Sequence, residues 1–119
     1  MKPIQLLYHG TSLDYSESIE ENGLVKKNYD VVYLTADIEV AYEYALRAVK
    51  NSNSITRQPV ICIIDAPQMV ADGFTFNHEL AYAEWTTECV PANYIVQVAI
   101  EDESDLDNIA TNIYELRNL

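Results

Sequence analysis

Short apolar runs and amphipathic stretches alternate along the chain, with no internal repeat and no low-complexity linker. Leu6-Leu7-Tyr8, preceded by Ile4-Gln5, is a short apolar run that stops at His9-Gly10-Thr11 and predicts a first strand. Ser12 is placed to cap a helix over about 13–22, and Gly23 falls where a C′ glycine belongs. Leu24-Val25 extends briefly before the polar Lys26-Lys27-Asn28. Val31-Val32-Tyr33-Leu34-Thr35 is β-branched and aromatic and predicts a buried strand. Asp37 caps the next helix, where Val40, Ala41, Tyr44, Ala45 and Ala48 share one face at i, i+4 spacings. Tyr44 therefore reads as core, whereas Tyr42, two positions away, cannot share its face. Pro59 opens the strongest strand, Val60 to Ile64, which ends at Asp65-Ala66-Pro67. Residues 68–83 read as loop-rich. Residues 83–87 and 94–100 predict two further strands, with Val90-Pro91-Ala92-Asn93 as a turn between them. Ser104 caps a last helix with Asp105 and Asp107 in its first turn and Leu106, Ile109, Ala110, Ile113 and Leu116 as its apolar stripe. Strands and helices mixed in this way predict an α+β domain, and weak βαβ periodicity argues against a doubly wound sheet.

Composition narrows the class. A length of 119 residues predicts one domain. Hydrophobic residues make up 49% of it, too many for a disordered acidic tail. No apolar run approaches the roughly 20 residues of a membrane span, and Met1-Lys2-Pro3-Ile4-Gln5 does not resemble a signal peptide, so the expectation is a cytoplasmic protein without a membrane partner. Seven basic residues against 19 acidic ones give a net charge of -12. Phosphate backbones are bound by clusters of Lys and Arg, so nucleic acid is an unexpected partner and a protein with a basic surface the expected one. Acidity that serves solubility alone is the competing explanation. Cys62 lies in an apolar run and reads as a buried free thiol. With His9 and His78 the only histidines, no histidine cluster can hold a metal, and none is expected.

The chain contains no GxGxxG, P-loop, HExxH or GxSxG. Polar groups interrupt apolar strands at three places: Tyr8-His9-Gly10-Thr11, Tyr33-Leu34-Thr35 with the helix that follows it, and Ala83-Glu84-Trp85-Thr86-Thr87. A glycine after the histidine gives a ligand access to the backbone. Tyrosines offer flat faces for stacking, and a strand carboxylate can hold sugar hydroxyls and stabilise positive charge.

His9-Gly10-Thr11, Ile19 to Gly23-Leu24, Tyr33-Leu34-Thr35, Ala41 to Tyr44-Ala45 and the late Glu84 to Tyr94-Ile95 stretch together resemble an ADP-ribosyltransferase domain. They are also similar to the related RNA 2′-phosphotransferases. The resemblance spans about residues 6 to 100 and implies a split, twisted β core that clamps NAD as co-substrate, with two amino-terminal helices and a carboxy-terminal one. Carried onto this chain, it makes His9 the partner of an NAD ribose hydroxyl and Gly10 the backbone contact of the nicotinamide carboxamide. It makes Tyr33 or Tyr44 the stacking ring, and places Thr11, Thr35 and Tyr42 among the cofactor-binding residues. Glu84, with His9 and Tyr33, becomes catalytic by holding the nicotinamide-ribose 2′-hydroxyl and opposing the developing charge. Glu88, four residues on, is the competing carboxylate.

The segment before Glu84 is where such enzymes read the acceptor, which points to His78 and Tyr82, with Glu88 beyond. Arginine-modifying transferases carry a second Glu two positions before the catalytic one; Tyr82 stands there. RNA 2′-phosphotransferases need several basic side chains to grip phosphate, and this chain has few. The expected activity is therefore mono-ADP-ribosyl transfer to a protein. A non-catalytic module of the same shape that masks a basic partner, and an NAD hydrolase, are the alternatives. The small size fits a phage, toxin or immunity effector, for which the host cytoplasm is the corresponding location.

Overall fold

The computed structural model describes residues 5–25, 31–51, 53–79 and 84–109. Lys26, Lys27, Tyr82, Ala83 and the stripe positions Ala110, Ile113 and Leu116 lie outside them. The strands are β1 (Leu7–Ser12), β2 (Leu24–Val25), β3 (Val32–Thr35), β4 (Pro59–Ile64), β5 (Asn77–Glu79), β6 (Glu84–Thr87), β7 (Cys89–Val90) and β8 (Ile95–Ala99). The helices are α1 (Ser16–Asn22), α2 (Ile38–Lys50) and α3 (Ala66–Ala71), and residues 104–109 are helical. Six strands form one antiparallel sheet in the order β5-β6-β3-β1-β4-β8, and β2 pairs with β7 apart from it. The α+β class is as expected.

β4 explains its own sequence. Ile61 and Ile63 face a cluster with Ala41, Ala45, Ile100, Leu106 and Ile109, while Cys62 and Ile64 face another with Leu7, Leu34, Met69 and Trp85. A strand covered on both sides has no polar face, hence the unbroken apolar run. Cys62 is a buried free thiol and Cys89 an exposed one. Burial raises the Cys62 pKa to about 12.

Several expectations need correction. β1 does not stop before His9; it runs to Ser12 because β4 pairs along its whole length, from Leu7↔Ile64 to Ser12↔Pro59. The first helix starts late: Leu13–Tyr15 is a 3-10 turn and α1 begins at Ser16. Ser12 makes no cap; its hydroxyl donates to Asp14 (2.8 Å), which also accepts from Ser54, Ile55 and Thr56. These bonds hold the Asp14 carboxyl far below the usual range and pin the segment that leads into β4. The stretch read as loop-rich contains α3 and β5; Asp65 accepts from the Gln68 amide as the α3 cap, and Pro67 stands in its first turn. Ser104 is the first helical residue rather than the cap, and its amide donates to Asp102 (3.0 Å). Gly23 and Asp37 do end and start their helices as expected.

Candidate active site

The strands that carry the site part company where they reach it. β1 pairs with β4 throughout but meets β3 at Tyr8↔Thr35. Beyond that pair the His9 side chain bridges the two strands, and its Nδ1 lies 3.1 Å from the Tyr33 carbonyl oxygen. A carbonyl only accepts, so Nδ1 carries the proton. Desolvation lowers the His9 pKa against the smaller upward pull of that bond, which favours the neutral ring. A neutral imidazole protonated at Nδ1 has its lone pair on Nε2. His9 is thus a fixed hydrogen-bond acceptor.

α2 roofs the opening. It lies so close on β1 that a methyl group at Gly10 would overlap the Ala41 carbonyl oxygen and crowd the Ala45 amide. Gly10 is required for this helix–strand approach, a second reason for a glycine beside the access its backbone is expected to give a ligand. The cavity left between sheet and helix measures about 580 Å³. His9, Tyr33, Thr35, Tyr44, Arg47 and Glu84 supply its polar lining, with the Gly10 backbone at its edge. Glu84 stands opposite Thr35, at the start of β6. Its Oε1 accepts a hydrogen bond from the Tyr44 hydroxyl (3.1 Å). The Arg47 guanidinium sits 5.3 Å from the Tyr44 ring centre, within cation–π range.

Six of the sequence candidates, His9, Gly10, Tyr33, Thr35, Tyr44 and Glu84, therefore meet. Tyr44 is not core as its helical face suggested: it is 44% exposed, as is Tyr33. Tyr42, two positions back and so about 200° around the helix, packs against the Ile61 and Ile63 cluster instead. Thr11 is buried opposite Val60 and does not line the cavity. Nor does His78, which stacks on its cross-strand neighbour Trp85 (4.3 Å between centres, 20° between planes) with a buried Nδ1 that has no hydrogen-bond partner among the described residues. Glu88 is exposed between β6 and β7, away from the lining. Arg47 escaped sequence reasoning; its spacing of three from Tyr44 on an amphipathic helix is the signal that could have found it. Cys62 stands opposite His9 on β4 but is fully buried and does not line the cavity, and its burial raises the thiol pKa.

No protein-family model matches the chain. Curated proteins do. Those named probable RNA 2′-phosphotransferase include one from Acetivibrio thermocellus, 30% identical over 96 residues, which are 78% of this chain and 47% of the relative. One from Rhizobium johnstonii is 36% identical over 94 residues, 79% of this chain and 47% of the relative. One from Pseudomonas aeruginosa is 36% identical over 93 residues, 78% and 46% respectively. The chain spans about half the length of the curated relatives it matches. Their name specifies a transferase with an RNA substrate, so the expectation against a nucleic-acid partner finds no support in them. Protein ADP-ribosylation and a phage, toxin or effector setting find none there either. No helix among the described residues is long and apolar enough to cross a membrane.

Proposed function

We propose that the chain is an NAD-dependent transferase that cleaves the nicotinamide–ribose bond and passes ADP-ribose to an acceptor. The observation that carries this reading is the convergence of His9, Tyr33 and Glu84 from three strands on one cavity, in the order and residue types that the resemblance to ADP-ribosyltransferases calls for. The donor set suits NAD. His9 Nε2 accepts a hydrogen bond from a ribose hydroxyl, the Gly10 main chain holds the carboxamide, and Tyr33 or Tyr44 offers an exposed ring to the nicotinamide. Glu84 accepts from the nicotinamide-ribose 2′-hydroxyl. As the C–N bond breaks, its electron pair leaves with nicotinamide and positive charge develops on the ribose. The acceptor's lone pair then forms the new bond, and its proton passes to solvent. A fixed carboxylate aimed at that charge needs no reorganisation at the moment of reaction.

A second reading differs in the acceptor. The names of the curated relatives favour an RNA 2′-phosphate, with the phosphate oxygen as nucleophile and Arg47 as a cationic group in the cavity lining. The net charge of -12 favours a protein acceptor.

The test is nicotinamide release from labelled NAD, run with an RNA carrying an internal 2′-phosphate and separately with a protein mixture. Label passing from NAD to the RNA, or release of the 2′-phosphate still joined to ADP-ribose once its P–O bond to the RNA 2′-oxygen is broken, supports the second reading, and label on protein the first. Glu84→Gln keeps the shape and loses the charge, and should cut release about 10²–10³-fold with the melting temperature unchanged. A Glu84→Gln enzyme with full turnover removes Glu84 from the mechanism, and an inactive Glu88→Gln would move the carboxylate there. Wild-type protein that releases no nicotinamide under any condition returns the chain to a binding module.

A further inference from the structure

We infer that the Tyr44 hydroxyl is a positioning group for Glu84; this role rests on the NAD-cleaving reading above. The two side chains come from different elements, 40 residues apart, and meet through one hydrogen bond of 3.1 Å. A glutamate on a strand has three rotatable bonds, and a carboxylate free to swing gives up much of its electrostatic effect. Donation from Tyr44 engages Oε1 and leaves Oε2 for the substrate hydroxyl. The donor is itself held. It stands on α2, whose close approach to β1 depends on Gly10, and Arg47 lies over its ring. The adjacent carboxylate raises the Tyr44 pKa, so the phenol keeps the proton it donates. The hydroxyl and the ring are separable: stacking needs the ring alone, whereas fixing Glu84 needs the oxygen.

Tyr44→Phe separates them. Losing one hydrogen bond to a charged group should lower kcat for nicotinamide release about tenfold or more. KM for NAD should stay within about twofold of wild type, since an interaction expressed only in the transition state leaves ground-state binding alone. In a Glu84→Gln background the same change should cost less than about twofold, because a residue that acts through another has nothing left to orient. Tyr44→Phe with wild-type kcat overturns the role, as does a raised KM with kcat intact, or a full tenfold loss that persists without the carboxylate. Wild-type protein that releases no nicotinamide overturns the NAD reading and this role together. Wild-type turnover with an indifferent Tyr44→Phe overturns the role alone.

Discussion

His9 shows how one main-chain hydrogen bond decides what a side chain can do. With the Nδ1 proton committed to Tyr33, the ring offers an acceptor at Nε2. The folded pKa lies below 6.5 because burial disfavours the cation. As pH falls through 6.5 the unfolded chain takes a proton that the native ring declines, so stability drops on the acid side; above 6.5 the term vanishes. Melting temperatures measured from pH 7.5 to pH 5 should therefore fall more steeply for wild type than for His9→Gln. Parallel slopes would mean that His9 titrates normally in the fold. His9→Gln should also weaken NAD binding in calorimetric titration by more than it lowers stability at neutral pH.

At the scale of elements, the Gly10 contact makes a sharp prediction. Gly10→Ala forces a methyl group against main-chain atoms of α2, which cannot yield as the end of a flexible side chain does. Overpacking of this kind costs about 1–3 kcal/mol, so thermal unfolding of Gly10→Ala should shift clearly downward, and with it the geometry of the cavity roof. An unchanged melting temperature would show that the helix can retreat. Elements whose partners are local or uniform were legible in the sequence. Val60-Ile61-Cys62-Ile63-Ile64 needs burial on both sides whatever covers it, and Gly23 and Asp37 end and start helices by local backbone chemistry. The His9, Tyr33 and Glu84 constellation was legible through resemblance, not through spacing. α3 was missed although Asp65 and Pro67 are start signals, because a six-residue helix shows too little periodicity. Spacing alone assigns Tyr44 to the core because a helical stripe that faces a cavity has the same spacing as one that faces a core; only the resemblance offers it as a stacking ring. The Gly10 contact depends on how far α2 stands from β1, a tertiary distance that no sequence interval contains.

Across the whole molecule, 19 acidic residues stand against seven basic ones. A net charge this far from zero destabilises a compact chain through self-repulsion. Added salt shortens the screening length from about 30 Å at 0.01 M to about 3 Å at 1 M. The melting temperature should accordingly rise between low and high sodium chloride; a flat or falling curve would indicate that the acids are locally compensated. The same charge sets the acceptors apart. RNA would approach against repulsion, so an RNA-directed reaction should be helped by moderate salt, whereas docking of a basic protein should be slowed by it.

The strand order has a consequence for how the protein can change. β4 and β8 lie to one side of β1 and take no part in the cavity lining; β3 and β6 lie to the other and carry Tyr33, Thr35 and Glu84. β1 is the border, with His9 on it. The cavity lining thus lies on one half of the sheet, on strands that also give Val32, Leu34 and Trp85 to the core. β5, outermost beside β6, belongs to neither the cavity lining nor the doubly covered centre. Its His78 ring nevertheless stacks on Trp85, so a change at that one position reaches the core through β6, whereas Asn77 belongs to neither core cluster.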